Sequence, residues 1–563
     1  MNTNRRFKNS VQNHFSFLKK TDAVDALYVK SLKIKNNRGY LLPVCKLHIE
    51  DTDFCKNLTS ILFTKGEGSA TNWINENVLS NDSKMLFAVA NQLGKITGYI
   101  DLSIDDENLD KSCVVIQSVV PSSAELEILA LECCLTWVNE KILPDDVFVS
   151  INREYSTKDQ DNLNLKRIDT LPKFNKINLD PQKLYYKYSS LKADFSPSKM
   201  ILTAGPSISS LEAYYAYDAT LNGWNSRWSE YLKTFEKKFA DYIGVKYAIA
   251  TSSCTGALHL ALTSLGIKPG DEVIVPDITW VATGNAVSYT GATPIFCDID
   301  RDTWCIDVKS IEKLITPKTK AIVPVHLYGH AANMDEVMRI AKANNLFVVE
   351  DAAPAIGTTI GEKKVGSYGD FSAFSFQGAK LTVTGEGGML LTDDKNLYDK
   401  AYSLWDQGRD LSRTFWINEM GWKYKMSNVQ AAIGLGQLER VEDLIHAKRK
   451  IFGWYSERLK DLKSIKLCYE PTNTRSIYWM SSIQVLSHAK LNRDQLSAQL
   501  KLRNIDTRPV FPSISQYPVW KTERTPQPVA LEIGNSSLNL PSGVCLQESE
   551  VDYVCRMIKD LLS

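Results

Sequence analysis

No CxxC pair occurs among the eleven cysteines of this 563-residue chain, and only Cys133 and Cys134 are adjacent. Thiols so scattered read as reduced cytosolic side chains rather than a disulfide framework, and no metal site is expected among them. Neither sign of charge dominates: 66 Lys and Arg stand against 65 Asp and Glu, a net charge of +1. Without a global field to concentrate polyanions, nucleic acid is not an expected partner. No window approaches 18 uninterrupted apolar residues, and the basic N-terminus MNTNRRFKNSVQNHFSFLKK leads into no apolar segment. Secretion and membrane insertion are therefore not expected, and a cytoplasmic location is. Repeats and low-complexity tracts are missing as well. The rest of the composition is ordinary, 44% hydrophobic and 23% charged, which argues against a mainly disordered or collagen-like chain. At about 150 residues per domain the length corresponds to three or four folding units, or fewer if one is large.

The rhythm of the chain changes near residue 200. Before it, GYLLPVCKLHI, MLFAVAN, KITGYIDLSI, CVVIQSVV and VFVSIN are short apolar or β-branched runs with polar or Gly-containing borders, as strands are. SAELEILALECCLTWVNEKIL has Ser123 placed to cap, acids in its first turns and apolar residues at helical spacing. Residues 153–200 are polar with isolated apolar positions and read as a connector, so an α+β domain with its linker is expected over residues 1–190. After residue 200, the runs AIATS, EVIVPD, TPIFCDI, AIVPVHL, LFVVEDA, FSAFSF and GGMLLTD alternate with helical stretches such as TGALHLALTSLG and MDEVMRIAKANN. That alternation predicts an α/β unit with a mostly parallel sheet covered by helices, expected over residues 200–435. From about residue 430, QAAIGLGQLERVEDLIHAKRKIFGWYSERLKDL reads as one long helix or two consecutive ones. A smaller C-terminal α/β domain over residues 436–563 closes the chain.

Ligands of such sheets bind beyond the carboxyl ends of the strands, so the polar residues there carry the functional reading. SSCTG at 252–256 joins a strand end to a helix start, where free N–H groups and the positive helix end suit a phosphate. Taken alone it is more simply an N-cap by Ser253 or Thr255. Trp280, just past VIVPD, could cover a flat ring, although a lone tryptophan is more often core. Glu350 and Asp351 end the apolar strand LFVV, where a turn or cap carboxylate is the plainer reading. In SFQGAK, with TGEGG following, Lys380 has glycine-rich and apolar surroundings that desolvate its amine and favour the neutral, nucleophilic form. A solvated surface lysine is the plain alternative. Together the anion site, the aromatic, the acid and the lysine are the parts needed to hold a phosphorylated pyridine aldehyde and make it reactive, and pyridoxal 5'-phosphate fits all four.

With these residues in place, the chain from about Ile201 onward resembles the DegT/DnrJ/EryC1/StrS sugar aminotransferases, which have fold type I among pyridoxal-phosphate enzymes. The resemblance is carried by SSCTGALHLAL, PGDEVIVPDITWVAT, GATPIFCDID, PVHLYGH, VVEDAAPAIG, FSFQGAKLTVTGEGGMLLTDD, GWKYKMSNVQAAIGLGQLE and DTRPVFP, in the family's order. It implies that Lys380 bonds the cofactor and later shuttles a proton, and that Asp351 keeps the pyridine nitrogen protonated. It further implies that Trp280 stacks on the ring and that Cys254, Thr255 and Ser375 contact the phosphate. Glu386, in the loop after the lysine, is a candidate for the substrate side. His326 and Tyr328 in PVHLYGH and Arg508 in DTRPVF are candidate sugar or carboxylate contacts, against a satisfied core histidine and a surface ion pair.

Two positions depart from the family pattern. Pro354 stands three residues after the aspartate, where the family has a polar contact to the cofactor's 3'-oxygen, and proline donates nothing. Lys423 in GWKYKMSN stands where the family more often has an asparagine that reaches the cofactor phosphate of the neighbouring subunit. That cross-subunit contact implies a homodimer with shared active sites. The implied reaction takes an amino group from glutamate and passes it to a nucleotide-linked keto-sugar for bacterial surface polysaccharide. The stretches GWKYKMSNVQAAIGLGQLER, RSIYWM and IDTRPVFP look most like the perosamine-synthase branch, which aminates C4 of a 4-keto-6-deoxyhexose. The sister branch of sugar dehydratases has histidine for the lysine, and Lys380 argues against it. An inactive ligand-binding homologue is disfavoured by Lys380 and Asp351 together. The N-terminal domain faintly resembles the GNAT acyltransferase fold. Its loop VVPSSAELE lacks the glycine that lets backbone N–H groups hold a coenzyme A pyrophosphate, and Pro121 removes one donor. A degenerate, structural or partner-binding domain is expected, with a bifunctional aminotransferase/N-acetyltransferase as the alternative.

Overall fold

The computed structural model describes residues 200–410, 412–520 and 527–563, together with eight strands and positions 130, 131, 134 and 135 in the first 190 residues. The chain forms two compact units, Met1–Phe195 with Ser207–Ala213, and Ser196–Pro206 with Tyr214–Ser563.

In the first unit one sheet runs in the order Leu32–Lys33, Gly39–Pro43, Lys84–Asn91, Ile96–Asp105, Cys113–Val119, Asp146–Ile151, Leu184–Tyr188, Leu165–Arg167. All five predicted strands occur, although residues 44–49 of the first lie outside the described residues. Every pairing is antiparallel except that of Cys113–Val119 with Asp146–Ile151. Parallel neighbours need a long crossover, and the described positions between them, Ala130, Leu131, Cys134 and Leu135, are helical and buried. The connector reading of residues 153–200 is corrected: Leu165–Arg167 and Leu184–Tyr188 pair with each other, and the latter completes the sheet beside Asp146–Ile151. LYYKY is rich in tyrosine, which suits a pleated surface, but its polar flanks hid it. Of the loop VVPSSAELE, where a coenzyme A pyrophosphate would have to be held, residues 120–127 lie outside the described residues.

The second unit is built on a seven-stranded sheet in the order Thr293–Cys297, Glu272–Pro276, Thr319–Ile322, Phe347–Asp351, Phe371–Ser375, Gly388–Thr392, Tyr247–Thr251. All seven predicted strands are present. The first five are mutually parallel, and Gly388–Thr392 runs antiparallel to both of its neighbours. Strands such as Val273–Val275 and Val348–Val349 are buried on both faces because helices cover each side. The helix Glu230–Ile243 shows why: Leu232, Phe235, Phe239 and Ile243 fall on one stripe and are buried, and Gly244, at φ +92°, ends it in a left-handed cap. Phe235 and Phe239 meet Phe374 and Phe376 from the sheet at centroid distances of 5.1 to 5.5 Å. The long helical stretch is two helices, Asn428–Glu439 and Val441–Leu459, broken at Arg440 where φ is −120° and ψ 19°. A second, antiparallel sheet follows in the order Ile465–Leu467, Ser481–Val485, Ser537–Leu540, Arg508–Pro509. No helix among the described residues is long and apolar enough to cross a membrane.

Candidate active site

Strand pairing puts the candidate residues at one end of the large sheet. Asp351 pairs with Ala373 in the neighbouring parallel strand, so the chain leaving that strand at Ser375 carries Lys380 past the same edge that Asp351 ends. Successive residues of a strand face opposite sides of the sheet, and this separates the two acids. Glu350 accepts from the N–H groups of Gly366, Tyr368 and Gly369 at 2.7 to 2.8 Å and lies 3.1 Å from His326 Nε2. Burial raises the Glu350 carboxyl, but the His326 contact and the backbone donors outweigh it and hold the group below its ordinary value. It shapes a loop. Asp351 points to the other side, where its Oδ2 accepts from Thr283 Oγ1 at 2.7 Å and its Oδ1 from the Ala353 N–H at 3.1 Å. Thr283 is itself 2.9 Å from the hydroxyl of Thr279, four residues earlier in the turn that leads into the helix Ala282–Tyr289.

Lys380, Asp351 and Cys254 act on one another electrostatically. Burial lowers the Lys380 amine below the ordinary lysine value, against the opposing pull of Asp351 and of the Cys254 sulfur. Burial likewise raises Asp351, partly offset by Thr283, the Ala353 N–H and Lys380. Each group is pushed toward its neutral form, which is what a nucleophilic amine requires and what a bound cation next to Asp351 would relieve for the acid. The loop that presents Lys380 is tied at several points: the Lys380 N–H donates to Gln377 O at 2.8 Å, Val383 N–H to the buried Gln437 at 3.1 Å and Trp479 Nε1 to Ala379 O at 2.9 Å. Gly385 turns it at φ +85°.

The Ser252–Gly256 corner reads both ways at once. Ser253 caps the helix Cys254–Ser264 by accepting from Gly256 N–H at 3.0 Å, and the N–H groups of Cys254 and Thr255 find no acceptor among the described residues. Cys254 is buried and Thr255 half-buried. Gly388 lets the corner close, since a Cβ there would lie 2.6 Å from the Cys254 nitrogen. Ser375 is half-buried at the end of its strand. Trp280 is 59% exposed with its ring 5.7 Å from that of Phe511, so it is not a core residue. An exposed indole, two free helical N–H groups, a buried acid and a desolvated lysine at one sheet end form a donor set that suits a phosphorylated pyridine aldehyde.

Several candidates belong elsewhere. His326 is fully buried, and both ring nitrogens are engaged, Nε2 with Glu350 and Nδ1 with the Ala332 N–H at 3.1 Å. It is the satisfied core histidine, with no surface for a sugar. Tyr328 is also buried, its ring stacked between Trp479 and Phe511 and its hydroxyl accepting from Phe511 N–H at 3.2 Å, which corrects the sugar-contact expectation for it. Arg508 is exposed and 3.4 Å from Asp506, the surface ion pair. The Glu386 side chain is exposed, and the loop uses its carbonyl, which accepts from Thr384 and Gln430. Lys423 is exposed, one residue before Tyr424, whose carbonyl accepts from Ser252 N–H at 2.7 Å. Pro354 lies buried in the turn after Asp351. Sequence reading missed Thr283 and Trp479. The four-residue spacing of Thr279 and Thr283 before and within a helix start was a usable signal for the first; the second lies in RSIYWM, a stretch that carries the resemblance, but nothing there pointed to a contact with the lysine.

The profile of the DegT/DnrJ/EryC1/StrS aminotransferase family matches residues 206–559. The chain belongs to that family. It is an aminotransferase, and pyridoxal phosphate is its cofactor. A GDP-perosamine synthase of Escherichia coli O157:H7 is 42% identical over 365 residues, covering 65% of this chain and 99% of that protein. Another from Caulobacter vibrioides is 42% identical over 364 residues, 64% of this chain and 98% of the relative. Among solved structures, a DegT DnrJ EryC1 StrS aminotransferase from Brucella abortus is 30% identical with a TM-score of 0.58, covering 62% of this chain and 95% of that one.

Proposed function

We propose that this aminotransferase moves an amino group from glutamate to a nucleotide-linked 4-keto-6-deoxyhexose, GDP-linked as in perosamine synthesis, to supply an amino sugar for bacterial surface polysaccharide. The observation that carries this reading is the electrostatically coupled set of Lys380, Asp351 and Cys254 at one sheet end, in a chain 42% identical over 365 residues to a protein named for that synthesis. The catalytic residues are then Lys380 and Asp351, and the cofactor contacts are Cys254, Thr255, Trp280 and Ser375.

When bound, pyridoxal phosphate supplies an aldehyde for an amine to attack and a ring that draws electrons from the adjacent carbon. Everything else falls to the chain. The N–H groups of Cys254 and Thr255, with the Ser375 hydroxyl, would hold the phosphate at the helix start. Asp351, fixed by Thr283 and Ala353, would hold a proton on the ring nitrogen. Trp280 would cover one face and exclude water from it. Lys380, once free, would move a proton at Nζ between substrate carbon and cofactor, a role suited to an amine whose value lies below that of a solvated lysine. Lys423 would reach the phosphate of a second copy, which makes the functional unit a homodimer.

For the first unit we propose a structural or partner-binding role on a degenerate GNAT-like sheet. The reading is supported by one parallel pair, Cys113–Val119 with Asp146–Ile151, in an otherwise antiparallel sheet. Isothermal titration with acetyl-CoA tests it: no heat of binding is expected, and saturable binding would restore the acetyltransferase alternative. The main proposal is tested by incubating the protein with glutamate and GDP-4-keto-6-deoxymannose and following the nucleotide sugar by mass spectrometry. Gain of an amine in place of the ketone is expected. An unaltered nucleotide sugar, with other keto-sugar nucleotides aminated, would overturn the substrate assignment.

A further inference from the structure

Trp479 comes from the segment before the small-sheet strand Ser481–Val485, far in sequence from the lysine loop, yet its ring centroid is 4.0 Å from Lys380 Nζ. Its own N–H holds the loop next to that lysine, donating to Ala379 O at 2.9 Å. The residue is in turn fixed from behind: the buried amine of Lys448 donates to the Trp479 carbonyl at 2.8 Å and also to that of Ser542. From the side, Tyr328 stacks on the indole at 5.8 Å and on Phe511 at 5.4 Å, and Phe511 lies against Trp280. Gly329 lets this wall close, since a Cβ there would meet Ile477 at 2.7 Å and the Trp479 nitrogen at 3.0 Å.

We propose that Trp479 is a positioning residue for Lys380, a platform on which the lysine amine rests whenever it is not bonded to cofactor. An indole face attracts an ammonium and is the strongest aromatic for doing so. Lys380 is half-buried, and this attraction, acting against the burial that lowers the amine, keeps the released amine aimed at one place while it is protonated. The N–H bond to Ala379 fixes the loop to the same ring, so the platform and the side chain it receives cannot drift apart. Asp351 and Cys254 are the other groups that act electrostatically on this amine, and the indole adds a face without adding a charge.

The proposal rests on Lys380 being the reactive lysine, and the two are tested apart. Borohydride reduction of the cofactor-loaded protein, followed by peptide mass spectrometry, establishes which lysine is bonded; a reduced adduct anywhere but Lys380 overturns that reading. Trp479 is tested in cofactor-free protein by competitive labelling with acetic anhydride across pH, read at the peptide containing Lys380. Trp479→Leu removes both the face and the N–H. Its labelling midpoint should fall by about half to one pH unit, because the indole favours the protonated amine. Trp479→Phe keeps a ring and should shift less. It loses the bond to Ala379, so amide hydrogen exchange across residues 376–384 should quicken about 3- to 10-fold. A folded Trp479→Leu protein with the wild-type midpoint would overturn the proposal. If that variant does not fold, unchanged exchange in Trp479→Phe would do the same.

Discussion

Replacing Thr283 by valine tests whether the hydroxyl behind Asp351 sets the charge of the site. The shapes are alike, Thr283 is 1% exposed, and its Oγ1 donates to Asp351 Oδ2 at 2.7 Å. Valine therefore keeps the volume and removes one hydrogen bond to a carboxylate, together with the contact to the Thr279 hydroxyl. A hydrogen bond to a charged group contributes about 1.5 to 3 kcal/mol, and one pKa unit corresponds to about 1.4 kcal/mol. Asp351 already lies above its ordinary value because burial raises it more than Thr283, Ala353 and Lys380 lower it. Losing Thr283 should push it up by a further 1 to 2 units, roughly. The acid limb of kcat/KM should move to higher pH by that amount. Cofactor affinity at neutral pH should drop roughly 10-fold or more, since the protonated acid no longer favours a charged ring nitrogen. Steady-state pH profiles and fluorescence titration of cofactor measure both. A folded Thr283→Val protein with an unmoved acid limb and unchanged affinity would refute the argument that this hydrogen bond holds Asp351 in its working state.

Lys448 gives a stability test with a definite sign. Burial lowers its amine to about 7, below the unfolded value, so the unfolded chain binds more protons from there to about pH 10. Stability should rise with pH over that window, by at most about 1.4 kcal/mol per unit, and Lys448→Met should remove this slope from denaturant midpoints taken at pH 7 and 9; equal slopes would refute it. Gly388→Ala places a methyl 2.6 Å from the backbone nitrogen of Cys254, which cannot retreat without opening the corner at residues 252–256. A loss of about 1 to 3 kcal/mol in stability and a matching fall in cofactor affinity are expected, and an unaltered melting temperature and affinity would contradict the close approach.

The large sheet was legible because its strands are short apolar runs with turn residues on either side, a pattern that survives burial on both faces. The mostly parallel direction followed from the alternation with helices, but strand order and the one reversed strand did not: nothing local in GGMLLTD marks it as the antiparallel member, which follows from its pairing with Tyr247–Thr251 and Phe371–Ser375. Two consecutive helices over residues 428–459 were one of the two sequence readings, but the place of the break, Arg440, was not legible, since apolar periodicity runs on through it. At the site, Asp351 and Lys380 were legible as strand-end residues with unusual neighbours, and strand pairing accounts for their meeting. His326 and Tyr328 misled because a polar side chain in an apolar loop looks the same in sequence whether it faces a substrate or a buried partner such as Glu350. RSIYWM drew notice through the resemblance, but the contact of its Trp479 with Lys380 was not legible, because it depends on how the segment before a second sheet packs against the lysine loop.

The central claim is that Lys380 is the lysine through which this chain carries an amino group. Visible absorption of the purified protein with pyridoxal phosphate, before and after glutamate and beside Lys380→Ala, tests it most directly. The account predicts a yellow wild-type protein that glutamate bleaches and a variant that never acquires the absorption of the bonded cofactor. A colourless wild type that glutamate does not alter, or a Lys380→Ala protein that bonds the cofactor and bleaches as wild type does, would contradict it.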